Sequence, residues 1–428
     1  METILAKMKN LLPRRAFRFI QPPYHYILAY LAAARFWFPA RRLVVIGVTG
    51  TKGKTTVVRL LHEVLASGGA CVASVSSLEF RVDGNVTPNM LKMTMPGRFF
   101  LQKFLRRAVR ERCRFSVVEV TSQGIAQFRH RGIRFRGAVM TNIAPEHIES
   151  HGGFEAYLRA KLDLFWRLPK EGAAVINGDD AEKPRFSAAT PAHKIFYGKE
   201  AIMIGAKQWN ISDAAITREG IAFSLAGQAV RSPLVGLFNF YNILAAIAVG
   251  LSHGIALERI AEAIGRVSGI AGRMEFVAHD PFSVVVDYAH TPDSLRKVYE
   301  TLRRESSNLI CVLGAAGGGR DRWKRPEFGR IAAEYCAQIL LTDEDPYDED
   351  PAAILEEIVA GIPRGARAQI TIDRRQAIGA ALALRAAGPG DTVVITGKGS
   401  EPWMMVRDGA KVPWDDRAIV REILHDMK

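Results

Sequence analysis

Residues 43–55 read Leu-Val-Val-Ile-Gly-Val-Thr-Gly-Thr-Lys-Gly-Lys-Thr, and Thr-Val-Val-Arg-Leu-Leu-His-Glu-Val-Leu follows through residue 65. A short apolar, β-branched run meets a Gly-rich turn and then an amphipathic pattern, which predicts strand, loop and helix. Gly47 to Thr55 fits the spacing GxxxxGK[ST] in the context that a phosphate loop requires. In such a loop the backbone N–H groups of Gly50, Thr51, Lys52 and Gly53 and the start of the helix cradle phosphate. Lys54 reaches the terminal phosphates, and Thr55, followed by Thr56, offers a hydroxyl to magnesium. A ligand-free Gly-rich turn is the bland alternative, and agreement of spacing, strand and helix speaks against it.

Working outward, similar apolar runs recur at 116–120 (SVVEV), 137–141 (GAVMT) and 173–176 (AAVI), with an amphipathic helical stretch over 97–112. Alternation of strand and helix predicts an α/β domain with a mostly parallel sheet covered on both faces. Between 194 and 234 the pattern changes to short alternating segments with turn signals, which predicts an antiparallel patch, and a helix is expected over 239–252. A second series of strands follows at 282–288, 308–314, 338–343 and 391–397 and reads as a second doubly wound, Rossmann-like domain. The expected divisions are an N-terminal segment over 1–44, an ATP-binding domain over 45–271 and a C-terminal domain over 272–428.

The chain has 428 residues, 48% of them hydrophobic and 24% charged, which excludes a disordered protein or a disulfide-stapled mini-protein. The formal net charge is +14. Much of that excess lies in residues 1–45, where Lys7, Lys9, Arg14, Arg15, Arg18, Arg35, Arg41 and Arg42 face one acid, Glu2. The remaining basic residues form no aromatic-interleaved run, so a nucleic-acid partner is not expected. Cys71, Cys113, Cys311 and Cys336 lack CxxC spacing and read as unpaired core residues of a reduced, cytoplasmic protein. The N-terminus has no signal-peptide pattern, and no uncharged apolar run is long enough to span a bilayer.

A set of segments in order carries a resemblance: GVTGTKGKTT, VVEVTSQGIAQFR, TNIAPEHIESHGGFEAYLRAK, GLFNFYNILAAIAV, GIAGRME, VVDYAHTPDSL, GRDRWKRP and GKGSE. Over roughly 45–428 the chain resembles the Mur ligases, and within them the UDP-N-acetylmuramoyl-tripeptide synthetase branch. The resemblance implies an ATP-dependent amide ligase of peptidoglycan precursor synthesis, and so a role in cell-wall growth, shape and division. Such an enzyme adds an amino acid to a muramyl-peptide carboxylate through an acyl phosphate and releases ADP. It implies Lys54, Glu119, His147 and Lys161 as catalytic residues, with Thr55, Glu119, His147 and a carbamylated Lys161 holding two Mg2+ ions. Asn239, Asn242, Arg273, Asp287, Tyr288 and His290 would bind ATP, the last four as part of a site between domains. Thr94, Thr121, Ser122, Gln127, Arg129, Arg320, Glu344, Asp345, Tyr347, Gly397 and Glu401 would bind the acceptor and the amino acid.

Three departures from the family stand out. The DNPR segment reads Glu344-Asp345-Pro346-Tyr347, so the arginine that would grip a distal carboxylate is replaced. GKGHE reads Gly397-Lys398-Gly399-Ser400-Glu401. A uridine-binding domain, of ~100 residues at typical domain size, is expected before the phosphate loop, where this sequence has 46 residues. A basic amino acid such as lysine or ornithine is therefore expected rather than diaminopimelate, with Arg320 on its carboxylate, and the acids of 343–350 read equally as a loop favouring a cation or as a plain solvated acidic loop. Rival readings are a Mur-like ligase for a lipid-linked, folylpolyglutamate-like or polyamide carrier, and a nonenzymatic ATP-binding scaffold. The segment YHYILAYLAAARFWF at 24–38 has two readings, an interfacial helix at a membrane surface or partner subunit, and a helix packed on the ATP-binding domain.

Overall fold

The computed structural model describes residues 14–91, 93–145, 151–319, 321–384 and 390–427, with side chains from Gln21 onward. Two compact units are present, one built mainly from the chain up to Arg266 and the other from Val267 onward, the second also taking Ala215–Ile221 and Ser232–Leu237.

The first unit begins with α1 (Arg14–Arg35), β1 (Val44–Thr49), α2 (Lys54–Ser67), β2 (Val72–Val75), β3 (Glu79–Val82), β4 (Asn85–Pro88), α3 (Arg98–Arg110), β5 (Phe115–Glu119), α4 (Ser122–Ala126) and β6 (Phe135–Met140). It continues through α5 (Phe154–Trp166), β7 (Ala173–Asn177), α6 (Lys183–Ala188), β8 (His193–Tyr197), β9 (Ala201–Ile204), β10 (Lys207–Thr217), β11 (Gly220–Leu225), β12 (Gln228–Ser232), α7 (Leu237–Ser252) and α8 (Leu257–Gly265). Strands β2, β5, β1, β6, β7 and β8 are parallel neighbours in that order. Runs such as Phe115–Glu119 are buried throughout, as parallel strands covered on both faces must be.

The register puts Val48 beside Glu119 and Thr49 beside Met140. The ends of three strands therefore open together at the start of α2, the usual place for a ligand in an open α/β sheet.

The patch expected at 194–234 differs in its first strand. Strand β8 is parallel to β7, and the antiparallel strands from β9 to β12 extend the same sheet. At the opposite edge β2, β3 and β4 pair antiparallel, with Asp83-Gly84 at φ 47° and 79° turning β3 into β4.

The second unit comprises β13 (Glu275–Ala278), β14 (Ser283–Asp287), α9 (Pro292–Arg303), β15 (Leu309–Leu313), α10 (Lys324–Tyr335), β16 (Gln338–Leu341), α11 (Pro351–Val359), β17 (Ala368–Ile370), α12 (Arg374–Ala383), β18 (Thr392–Thr396), β19 (Trp403–Met405), β20 (Lys411–Pro413) and α13 (Asp416–Asp426). Its sheet order is β13-β14-β18-β15-β16-β17, parallel apart from β13, which confirms the doubly wound reading. Val284, Val286, Ile310, Val312, Val393 and Ile395 form one apolar face with Ala377, Ile378, Ile419 and Val420 of α12 and α13.

The expectation of unpaired cysteines is corrected. Cys71 is bonded to Cys113 and Cys311 to Cys336, with Cα separations of 4.3 and 6.0 Å. Each pair is distant in sequence. Cys71 and Cys113 lie just before the neighbouring strands β2 and β5, while Cys311 lies in β15 and Cys336 just before its neighbour β16. Strand adjacency brings the sulfurs together, which no local spacing announces.

Candidate active site

Two glycines shape the phosphate loop. Gly50 has φ 148° and Gly53 φ 82°, and a Cβ would run into the Thr141 hydroxyl at the first and the Asn242 amide at the second. Only glycine reconciles that backbone with such close neighbours. Thr141 and Asn142, just past β6, hold the loop from outside: Thr141 Oγ1 donates to Lys52 O at 2.6 Å, Asn142 Nδ2 donates to Lys52 O at 3.1 Å, and Thr51 N donates to Asn142 O at 2.7 Å. Helix α2 then starts at Lys54 with no acid in its first turn, leaving its N-terminal N–H groups suited to an anion. The Lys54 ammonium folds over the loop and donates to Gly50 O at 3.1 Å and Thr51 O at 2.8 Å.

Beside it lies a set of oxygen donors. The Thr55 hydroxyl donates to the Glu119 carboxylate at 3.1 Å and shares a 2.8 Å hydrogen bond with Ser77, whose backbone N–H donates to the same carboxylate at 2.9 Å. Magnesium prefers hard oxygen ligands and takes only one or two from protein when phosphates supply the rest, so Thr55 and Glu119 fit that ion. Thr56 is buried on α2. No group of three or more His, Cys, Asp or Glu residues able to hold a metal occurs among the described residues. His147 lies outside the described residues.

An isolated helical lysine is ordinarily solvated. Lys161 on α5 is instead only 2% exposed, and its ammonium donates to Gly50 O at 2.6 Å and lies 4.5 Å from the centre of the Tyr157 ring. Tyr157 in turn shares a 2.7 Å hydrogen bond with the Thr51 hydroxyl. His151 sits 3.1 Å from Ser122 Oγ, and burial, with Lys161 nearby, holds its pKa below the usual histidine value. Asn239 and Asn242 on α7 are buried, bonded to one another at 3.0 Å, with Asn242 against Gly53.

The proposed acceptor residues also gather in this unit. Thr121 caps α4 by accepting from Gly124 N at 3.1 Å. Gln127 accepts two hydrogen bonds from Arg129, at 2.6 and 3.0 Å, and Arg129 also donates to Met95 O and to Met93 Sδ at 3.4 Å. Thr94 is thus held between two residues that Arg129 grips. Arg98 donates to Gln127 O. The two arginines, after burial itself, hold His25 of α1 down to a pKa of about 4.

In the second unit the Asp287 carboxylate accepts from Met274 N at 2.6 Å and Ala289 N at 2.7 Å, and Gly397 N donates to Asp287 O at 3.2 Å. Arg273 lies 4.2 Å over the Tyr288 ring, and His290 Nδ1 is 2.7 Å from Tyr288 O. A charged cluster follows. Lys398, which is fully buried, donates to Asp345 at 2.8 Å and Glu401 at 2.6 Å, and Glu401 also accepts from the Tyr288 hydroxyl at 2.9 Å. Glu344 beside them is buried, and loss of water raises its pKa to about 7 against the pull of Arg374 and Lys398. Tyr347 has φ 54° and donates its N–H to Met405 O at 3.2 Å. Arg320 lies outside the described residues.

The acids of 343–350 do not form a free cation-attracting loop. Asp345 is engaged by Lys398, Glu349 accepts from Arg325 at 2.9 Å, Asp350 caps α11 and Asp348 accepts from Asp408 N at 2.9 Å.

Sequence reasoning did not single out Ser77, Thr141, Asn142, Tyr157, Lys398 or the buried Arg374–Asp416 pair, whose closest approach is 2.8 Å. All but Ser77, Arg374 and Asp416 stand inside the quoted motifs. Those three reach their places through strand and helix adjacency alone.

Comparison with known proteins accords with this geometry. Residues 48–250 match the Mur ligase middle domain, and residues 272–399 match the Mur ligase glutamate ligase domain. The UDP-N-acetylmuramoyl-L-alanyl-D-glutamate-2,6-diaminopimelate ligase of Gloeobacter violaceus is 42% identical over 92% of this chain and 80% of its own. The UDP-N-acetylmuramyl-tripeptide synthetase of Roseiflexus sp. is 37% identical over 94% of this chain and 82% of its own. A solved UDP-N-acetylmuramoyl-L-alanyl-D-glutamate-2,6-diaminopimelate ligase superposes with a TM-score of 0.63 at 33% identity, covering 90% of this chain and 79% of that one. A folylpolyglutamate synthase of Mycobacterium tuberculosis shares the fold at 19% identity, with a TM-score of 0.69 over 92% of this chain and 95% of that one. With both domain models matched and relatives well above 30% identity along nine-tenths of its length, the chain belongs to the Mur ligases.

Proposed function

We propose that this Mur ligase uses ATP to join an amino acid to the carboxylate of a glutamate-ended muramyl peptide, through an acyl phosphate and with release of ADP and phosphate. The observation that carries the reading is the convergence on one phosphate loop of Lys54, the Thr55–Glu119 pair and the buried Lys161.

A carboxylate is a poor electrophile, and its phosphorylation crowds anionic oxygens that need fixed cations and donors. The loop N–H groups and the start of α2 hold the triphosphate, and Lys54 turns from the loop carbonyls to the transferred phosphoryl group. Thr55 and Glu119 would hold Mg2+, which neutralises charge on the phosphates when bound. His147 would join them.

Lys161, once deprotonated, would add its Nζ to carbon dioxide, forming one C–N bond and losing a proton, so that the resulting carbamate replaces a cation with an anionic ligand for a second Mg2+. Asn239 and Asn242 would flank the nucleotide. Arg273, Asp287, Tyr288 and His290 are proposed to complete ATP binding. Thr94, Thr121, Ser122, Gln127 and Arg129 are proposed for the acceptor, and Arg320, Glu344, Asp345, Tyr347, Gly397 and Glu401 for the amino acid. A cytoplasmic location completes the proposal.

Because Tyr347 stands where a second carboxylate would need an arginine, the amino acid proposed is lysine or ornithine. The test is ADP release across a panel of amino acids with nucleotide-linked and lipid-linked muramyl dipeptides. ADP formation that requires both acceptor and a basic amino acid is expected. ADP formation independent of any acceptor would overturn the ligase reading, and preference for diaminopimelate over lysine would overturn the assignment made from Tyr347.

A further inference from the structure

Helix α1 carries apolar side chains on its exposed side as well as on its buried one. Its buried side is made of His25, Ala29, Ala32 and Ala33, small enough that Gly132 packs directly against Ala33 and the Ala29 carbonyl. Its exposed positions recur in adjacent pairs every four residues: Pro22 and Pro23, Tyr26 and Ile27, Tyr30 and Leu31, then Ala34 and Arg35. From Pro22 to Ala34 no exposed residue carries a charge. Ile27 is 56% exposed, Leu31 55% and Trp37, just past the helix, 81%. An amphipathic helix facing water places charge on this side.

Cations border the face. The guanidinium of Arg131 lies 5.6 Å from the centres of both the Tyr26 and Phe128 rings, and Arg35 and Arg41 follow at the C-terminal end. In sequence Arg14, Arg15 and Arg18 occupy the opening turns of the helix, within a segment of eight basic residues against one acid. Aromatic rings with polar tips beside aliphatic side chains, flanked by cations, suit the headgroup layer of an anionic bilayer better than a neutral protein groove. No helix among the described residues is long and apolar enough to cross a membrane, so the face would lie on the surface.

We propose that this exposed face of α1 docks on an anionic lipid bilayer. The consequence rests on the ligase reading given above. Tyr26 meets Phe128 edge-on at 6.0 Å, between Gln127 and Arg129, so docking would hold the proposed acceptor segment next to the headgroups, where a lipid-linked acceptor would be presented.

The test compares the full chain with an Ile27→Glu/Leu31→Glu double variant and with Trp37→Ala, in co-sedimentation with phosphatidylcholine vesicles with and without phosphatidylglycerol. Circular dichroism and thermal melts check that each variant folds. ATP-dependent ligation of a nucleotide-linked acceptor without vesicles separates loss of docking from loss of catalysis. Expected is binding that requires phosphatidylglycerol, falls with salt and drops about tenfold or more in the double variant, with vesicle-free ligation unchanged. Equal binding by the parent chain and the folded double variant, or binding indifferent to phosphatidylglycerol, overturns the proposal. So does concentration-dependent self-association, seen by sedimentation velocity and broken by the same substitutions, when vesicle binding is absent, because the face would then meet a second copy of the chain.

Discussion

The phosphate-loop site of the first unit and the charged cluster of the second solve the problem of placing charge in different ways. In the first, backbone does most of the positioning: carbonyls of Gly50, Thr51 and Lys52 accept from Lys54, Lys161, Thr141 and Asn142, and two glycines set the path. In the second, side chains hold one another, with Lys398 between Asp345 and Glu401 and Glu344 enclosed beside them. A backbone-built site tolerates changes around it provided that its glycines and its lysine remain. A side-chain-built site depends on each partner, because an ion left alone in the interior is costly. It is in the second site that the sequence reading expects departures from the family pattern, at Glu344-Asp345-Pro346-Tyr347 and at Ser400.

The sharpest way to break this comparison is Lys54→Ala. A positioned cation in a water-excluded site contributes a few kcal/mol at the transition state, so turnover should fall about a thousandfold while the fold persists. Steady-state ADP release checks it. Near-normal ligation would mean that the loop backbone alone supplies the electrostatics.

Lys161→Ala comes next and separates two roles of one nitrogen. As an ammonium, Lys161 braces Gly50 O, whereas as a carbamate it would serve as an anionic ligand. The variant should be inactive, and short carboxylic acids should restore part of the turnover by occupying the vacated space. Restoration by short alkylamines instead would assign the residue to bracing the loop.

The smallest effect belongs to the second unit and is read in stability. Burial raises the Glu344 pKa to about 7, so the folded state retains this proton more readily than the unfolded chain. Its contribution is fully present below the ordinary value of 4.5 and is lost as pH rises to about 7. Glu344→Gln should flatten the fall in thermal stability across that window, a change of roughly 3 kcal/mol by linkage. Identical pH profiles for the two proteins would show that the carboxylate is not shielded from water.

Some features were readable before any folding was known. The loop at 47–55 is a local object, because its strand, glycines, lysine and helix follow one another within a few residues, and spacing alone reports it. The turn Asp83-Gly84 is equally local, between the alternating Glu79–Val82 and the wholly exposed Asn85–Pro88. The acidic run at 343–350, by contrast, misled. Composition suggested an open negative loop, while the fold commits its acids to Lys398, Arg325, a helix cap and a backbone N–H.

By itself the sequence determined the two α/β units, the phosphate loop and the family to which the chain belongs, because these rest on local periodicity and on ordered motifs. Only the tertiary structure decided that Lys161 is buried against Gly50, that Ser77 shares Glu119 with Thr55, that Cys71 meets Cys113, and that α1 buries its alanines and leaves Ile27 and Leu31 exposed. The physical reason is common to all four. Each depends on which strands and helices become neighbours, and in a parallel sheet those neighbours are separated along the chain by a crossover of a dozen residues or more, so no local pattern encodes the meeting.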